Sequence, residues 1–321
     1  MSTPSFDPTA LIDLDFAAYI ASRKAHFAER SHGGVPDYAF NLDHAIRRKL
    51  NAIPLLRRTG ELLTSYVVPI QRQLHQMDAV AVGPRQFREV HEMGVECARI
   101  LGIGIPQIFV IMNPMPNAFT YATGQTDQIV VLTSGLVEAL SMPQLRSVIG
   151  HECGHIHNEH VVYNTIWEMI TNPLANMLLR AASGTLGPFA PLVTMLTKGT
   201  LFLVFQRWHR CAEFTCDRAG LVCSADLGAS IEVMGRLDTA GAENLQGFDA
   251  DEYVRQLDGI EGSPIRFLEL LHTHPIGPRR VKAMRLFGES EVLYRWRPEM
   301  KHGQATRPHV DVDRDCAALL V

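Results

Sequence analysis

The sequence predicts a mostly helical α+β fold in which a small sheet stands directly before one long helix. Three observations carry that expectation. Apolar residues recur at helical spacing through most of the 321-residue chain. Three short β-rich runs, Gln107 to Met112, Ala118 to Ala122 and Gln128 to Thr133, are separated by the turn signals Asn113-Pro114 and Gly124-Gln125. The stretch Ser147 to His157 then sets His151, Glu152 and His155 in the pattern H-E-x-x-H.

Taken in order, residues 1–84 read as a helical cover segment. Ile12 to Arg30 and Leu42 to Leu74 have helical spacing, interrupted by Gly33-Gly34 and Pro54. Arg85 to Leu101 is an amphipathic helix stopped by Gly102. After the three strands, Leu136 to Leu140 makes a short helical turn. Ser141 with Gln144 reads as a capping box, and Pro143 falls in the first turn, where its missing N–H costs nothing. The helix that follows is expected to run from Met142 to Ile170, ended by Asn172-Pro173, with Leu145, Val148, Ile149, Cys153 and Ile156 as its apolar stripe. Residues 181–197 carry no charge, but Gly184, Gly187, Pro188 and Pro191 interrupt them. The expectation is a buried hairpin turning at Ser183 to Pro191; the alternative is peripheral membrane contact through 181–205. Leu201 to Cys223 reads as a second long helix, and Ala225 to Gly241 and Pro264 to His272 also look helical. The expected division is a cover over 1–84, a catalytic domain over 85–290 and a tail over 291–321, whose residues Met300 to Val321 read as polar and loosely held.

The chemistry begins with spacing. Residues four apart share one face of a helix, so His151 and His155 can reach one ion, with Glu152 on the adjacent edge to act as a base toward water. Zinc hydrolases of this type need a third ligand, and a second helix can supply it. Glu213 and Asp217, four apart on the second long helix among apolar neighbours, suit a ligand and a carboxylate that fixes a ligand histidine's tautomer. His157 and His160 are expected to point about 160° and 140° away from His155 on a continuous helix, and so to take no part. The motif with Gly three and His six residues after the second ligand fails, since Asn158 and Val161 stand there.

Composition narrows the function. A formal charge of −4 and the lack of a long basic run give no support to nucleic-acid binding. Six cysteines without a C-x-x-C pair, in a chain whose N-terminus reads as no secretory signal, are expected as reduced, buried thiols. Cytoplasmic localisation is the default, with a peripheral membrane site as the alternative.

The chain resembles the gluzincin zinc peptidases that include the heat-shock membrane protease HtpX and the CAAX prenyl proteases. The resemblance lies in Pro116-Asn117-Ala118-Phe119, the run Ile129 to Leu136, the stretch Leu145 to Ile156, Glu213-x-x-x-Asp217, and Thr273-His274-Pro275 with Arg280 downstream. It implies one zinc per chain held by His151, His155 and Glu213, with Glu152 as catalytic base and Asp217 supporting a ligand. It also implies that Asn117, Ala118 and Phe119 form the edge that pairs with an extended peptide. His274 and Arg280 are implied near the site, where they hold the transition state or brace the helices. Two departures stand out: Ile276 replaces a usual second proline, and clear spanning helices are lacking. The expected fold is therefore a mostly helical gluzincin-type zincin. The expected activity is endopeptidase cleavage of extended or unfolded protein, with a latent or non-catalytic, zinc-stabilised peptide-binding module as the alternative.

Overall fold

In the computed structural model, helices dominate and one four-stranded sheet interrupts them, the mostly helical α+β arrangement expected. The structure describes residues 31–32, 35–123, 127–171, 200–239, 247–261, 263–264, 268–269 and 274–320. The chain divides into two units, Met1–Asp37 and Tyr38–Val321. In the first, β1 (Ser31–His32) pairs antiparallel with β2 (Val35–Pro36). The second unit holds all the other described elements.

That unit opens with α1 (Asn41–Asn51) and α2 (Pro54–Asp78), the latter beginning at the expected Pro54, and then the short β3 (Val80–Ala81). Next come α3 (Arg88–Leu101), β4 (Gln107–Ile111), β5 (Ala118–Thr123) and β6 (Asp127–Thr133). Gly102 closes α3 at φ 72°, a left-handed conformation glycine adopts without strain. All three expected strands are present to within a residue or two. The strand order is β3-β4-β6-β5, with β4 and β6 parallel and β5 antiparallel to β6, which leaves β5 on the sheet edge. Asn117 O accepts from Thr133 N, so the antiparallel alternation turns the backbone groups of Ala118, Thr120 and Ala122 outward, away from β6.

After α4 (Ser134–Ala139) comes α5 (Met142–His157), the H-E-x-x-H helix, and Gln144 Oε1 accepts from Ser141 N at 2.9 Å as the capping-box reading requires. The expected single helix to Ile170 is corrected here. The chain breaks at Asn158 and Glu159 and resumes as α6 (His160–Thr171). Glu159 adopts φ 55°, and Asn158 Nδ2 donates to Gly154 O, which satisfies a terminal carbonyl of α5. The remaining α-helices among the described residues are α7 (Thr200–Ser224), α8 (Leu227–Asp238), α9 (Ala250–Arg255), α10 (Asp258–Glu261), α11 (Gly277–Gly288), α12 (Glu291–Trp296) and α13 (His309–Ala317).

α5 and α7 lie unusually close. A methyl group added at Gly154 would meet Ala219 Cβ at 2.7 Å, and one at Gly220 would meet Ser147 O at 2.7 Å. These two glycines let the backbones approach, and that approach brings the acidic residues of α7 up to the histidines of α5. The stripe of Leu145, Val148, Ile149, Cys153 and Ile156 is buried in the main core with residues of α3, α8 and α11. The expectation of a loose tail is corrected: Val312, Cys316 and Leu319 pack with Phe40, Phe214 and Ala283. Asp311, Arg314 and Asp315 of α13 lie outside the buried face and the buried Asp313 pairs with Arg218 at 2.8 Å, so composition alone hid the apolar side. The uncharged hairpin at 181–197 lies outside the described residues. No helix among the described residues is long and apolar enough to cross a membrane.

Candidate active site

Each ligand-type histidine on α5 has one ring nitrogen engaged and the other free. His151 Nδ1 donates to Asp217 Oδ1 at 3.0 Å, which leaves Nε2 as a bare lone pair. Asp217 also accepts two hydrogen bonds from Arg280, at 2.9 and 2.6 Å, in the paired geometry suited to a guanidinium and a carboxylate.

His155 is anchored differently. His160 Nε2 lies 2.9 Å from Asp43 Oδ2, and its Nδ1 lies 3.3 Å from His155 Nδ1. If the proton of neutral His160 sits on the nitrogen facing the carboxylate, its Nδ1 accepts from His155 Nδ1–H. His155 Nε2 is then a lone pair as well. Asp43 is fully buried and also accepts from Trp208 Nε1 at 3.0 Å and Thr215 Oγ1 at 2.7 Å. Burial alone would raise its carboxyl, but the adjacent His160 ring, the nearby Arg47 guanidinium and the Thr215 hydroxyl hold it below the usual aspartate value. The expectation that His160 takes no part assumed a continuous helix; the turn at Asn158-Glu159 swings it back against His155.

The two free lone pairs converge on Glu213. His151 Nε2 is 3.6 Å from Glu213 Oε2, and His155 Nε2 is 3.6 Å from Oε1. These separations suit donor atoms arranged around one small ion with bonds of about 2.0–2.2 Å. Glu213 is 1% exposed, and its Oε1 has no hydrogen-bond partner. A buried, unpartnered carboxylate oxygen is costly and calls for a cation. The donor set therefore fits zinc. Burial would push the Glu213 carboxyl up, yet His274 and Arg280 keep it ionised, well below its ordinary value. Cys216 also clusters with His151 and His155 within 4.8 Å. Its sulfur, however, lies 3.4 Å from His160 Nδ1, and burial with nearby carboxylates drives its thiol well upward, away from the thiolate a metal needs.

Glu152 stands beside this centre. Its Oε2 accepts from Thr120 Oγ1 at 2.5 Å, so the edge strand β5 orients the carboxylate directly. Burial raises the Glu152 carboxyl above its ordinary value, against the opposing pull of His151 and of that hydrogen bond. His274 Nδ1 is 3.1 Å from Glu213 Oε2, with its side chain 58% exposed at the rim. Arg280 also reaches Glu213 Oε2 at 3.3 Å. Thr120, His151, Glu152, His155, Glu213, Asp217, His274 and Arg280 line one cavity of about 500 Å³, together with Asn117, Ala118 and Phe119.

The structure thus brings together every residue singled out from the sequence. Sequence reasoning missed Asp43, His160 and Thr120. Asn158, a residue type that suits helix ends, was the available signal for His160; nothing local marked Asp43 or Thr120.

Residues 84–286 match peptidase family M48. The chain is 31% identical over 234 residues to the plastoglobule-localized metallopeptidase 48, chloroplastic, of Arabidopsis thaliana, covering 71% of this chain and 64% of that one. It is 25% identical over 233 residues to a protease HtpX homolog of Moorella thermoacetica, covering 66% of this chain and 76% of that protein. A crystal structure of S. mikatae Ste24p aligns with a TM-score of 0.42 at 14% identity, over 84% of this chain and 62% of that chain. With the match spanning most of its length and the centre of its described fold, this chain belongs to peptidase family M48.

Proposed function

We propose that this chain is a zinc metalloendopeptidase that cleaves extended or unfolded protein segments. The observation that carries the reading is the buried Glu213 carboxylate, its Oε1 unpartnered, whose two oxygens face the His155 and His151 lone pairs, with Glu152 alongside. His151, His155 and Glu213 would hold one zinc per chain. The chemistry such an ion supplies when bound is acidification of water to near neutrality and polarisation of a carbonyl oxygen.

The protein's own groups then divide the work. Glu152 accepts the proton of the attacking water and later returns it to the leaving amine, a task suited to a carboxyl raised toward neutrality. Thr120 fixes the carboxylate oxygen that does not need to move. The outward backbone groups of Ala118 and Thr120 pair with an extended peptide and set its carbonyl beside Glu152. His274, at the rim and held by Glu213, donates to the developing oxyanion. Arg280 is committed to Asp217 and Glu213, so its role is to brace α7 against α11 and keep the His151 tautomer. Peripheral membrane contact through 181–205 is the alternative to the buried hairpin, and Leu203 is exposed at the described end of that segment.

Casein cleavage by the zinc-loaded chain and by Glu152→Gln, side by side, tests the proposal. Loss of cutting in the variant with zinc retained is the expected result. Equal cutting by both would overturn it, and vesicle flotation tests the membrane contact separately.

A further inference from the structure

The cavity lining divides by chemistry. α8 and α11 contribute the apolar Val233, Met234, Leu237 and Met284, whereas α6 and α7 contribute Asn164, Trp167, Glu168 and His209. His209 is 7% exposed, and neither ring nitrogen has a hydrogen-bond partner. Asn164 Oδ1 is likewise buried and unpartnered. Glu168 forms no ion pair among the described residues; the residue is exposed overall, yet partial desolvation by the cavity wall raises its carboxyl. The His209 ring lies 5.8 Å from Trp167 and 6.2 Å from His274. The cations lining the same cavity are committed elsewhere, Arg280 to Asp217 and Glu213, and His274 to Glu213.

Three acceptors without donors, one of them anionic, beside aromatic faces describe a receptor for a cation that carries several N–H groups. We infer that Glu168, Asn164 and His209 form a subsite for a lysine or arginine side chain on the N-terminal side of the scissile bond. The side follows from strand direction. Glu168 lies near enough to Tyr121 to act on its phenol, and Tyr121 sits beyond Thr120 in β5. A peptide paired antiparallel to the free edge, the more stable of the two pairings, runs with its N-terminal residues toward Tyr121. This inference rests on the peptidase reading for the cut itself, but not for binding.

Its test uses the zinc-loaded Glu152→Gln chain and fluorescent peptides of one sequence that contain lysine or norleucine at a single position. Lysine peptides are expected to bind about tenfold tighter, as one well-placed charge pair allows. Glu168→Lys, an exposed position whose change spares the fold, should reverse that ratio in the same background. The ratio within each variant cancels any general loss of folded protein. Equal binding of both peptides by the parent, or an unchanged ratio after charge reversal, would overturn the subsite. Cut sites of the unsubstituted chain in casein should carry the basic residue on their N-terminal side, and basic residues confined to the other side would overturn the orientation. If the lysine ratio behaves as expected while no cutting occurs, the subsite stands and the hydrolytic reading falls.

Discussion

His151 and His155 sit one turn apart on the same helix, yet two different devices hold them. His151 leans on Asp217 and Arg280, an arm that reaches the cavity lining and ends in a guanidinium bound by two carboxylates. His155 leans on His160 and Asp43, an arm sealed from solvent, whose carboxylate also ties Trp208 and Thr215 of α7 to α1. The first device serves mainly the histidine. The second serves the histidine and the fold together, because three elements meet at one buried carboxylate. An arm that doubles as core should be the costlier to break.

The largest expected effect follows from cutting the buried arm. Asp43→Ala leaves His160, Trp208 and Thr215 with buried donors and no acceptor, and should cost about 3–5 kcal/mol of folding stability. Urea unfolding measures it, and a cost below that of Asp217→Asn would dissolve the contrast between the arms. The same carboxylate sets an acid limit. Asp43 is held below its ordinary value, so its stabilisation is complete above the unfolded value of about pH 4 and is lost as pH falls through the folded one. Acid-unfolding curves should therefore lose a component in Asp43→Asn.

Asp217→Asn comes next in size. It keeps the shape but weakens the hold on the His151 tautomer, and should lower zinc affinity about 10–100-fold with a smaller loss of stability. Competition with a chromogenic chelator reads the first quantity and urea unfolding the second. Arg280→Lys is the mildest change: a single ammonium cannot reproduce the two parallel bonds to Asp217. About 1 kcal/mol, or a several-fold loss of zinc affinity, is expected. A loss of peptide affinity with zinc affinity untouched would instead put Arg280 on the substrate.

The elements themselves show why one arm was legible and the other was not. Glu213 and Asp217 repeat the four-residue spacing of His151 and His155, so both faces could be read from helical periodicity. The three strands announced themselves through β-rich runs bounded by turn residues. α13 misled because its polar composition concealed one buried face, and α6 misled because its start depends on a single left-handed residue, Glu159. Angular reasoning along a helix fails at the first residue that leaves it.

The sequence by itself determined the local geometry of this protein: two histidines on one helical face, two carboxylates on another, and short β-rich runs before them. Those relations depend on spacings of four residues or two, which the backbone enforces wherever the element forms. Only the tertiary structure decided what stands behind the histidines and beside the base. Asp43 meets His160, Trp208 and Thr215 across 117, 165 and 172 residues of chain, and Thr120 meets Glu152 across 32. Such contacts have no period to read, because they arise from how closely α5 and α7 pack, and that closeness rests on hydrogen atoms where Gly154 and Gly220 have no side chain.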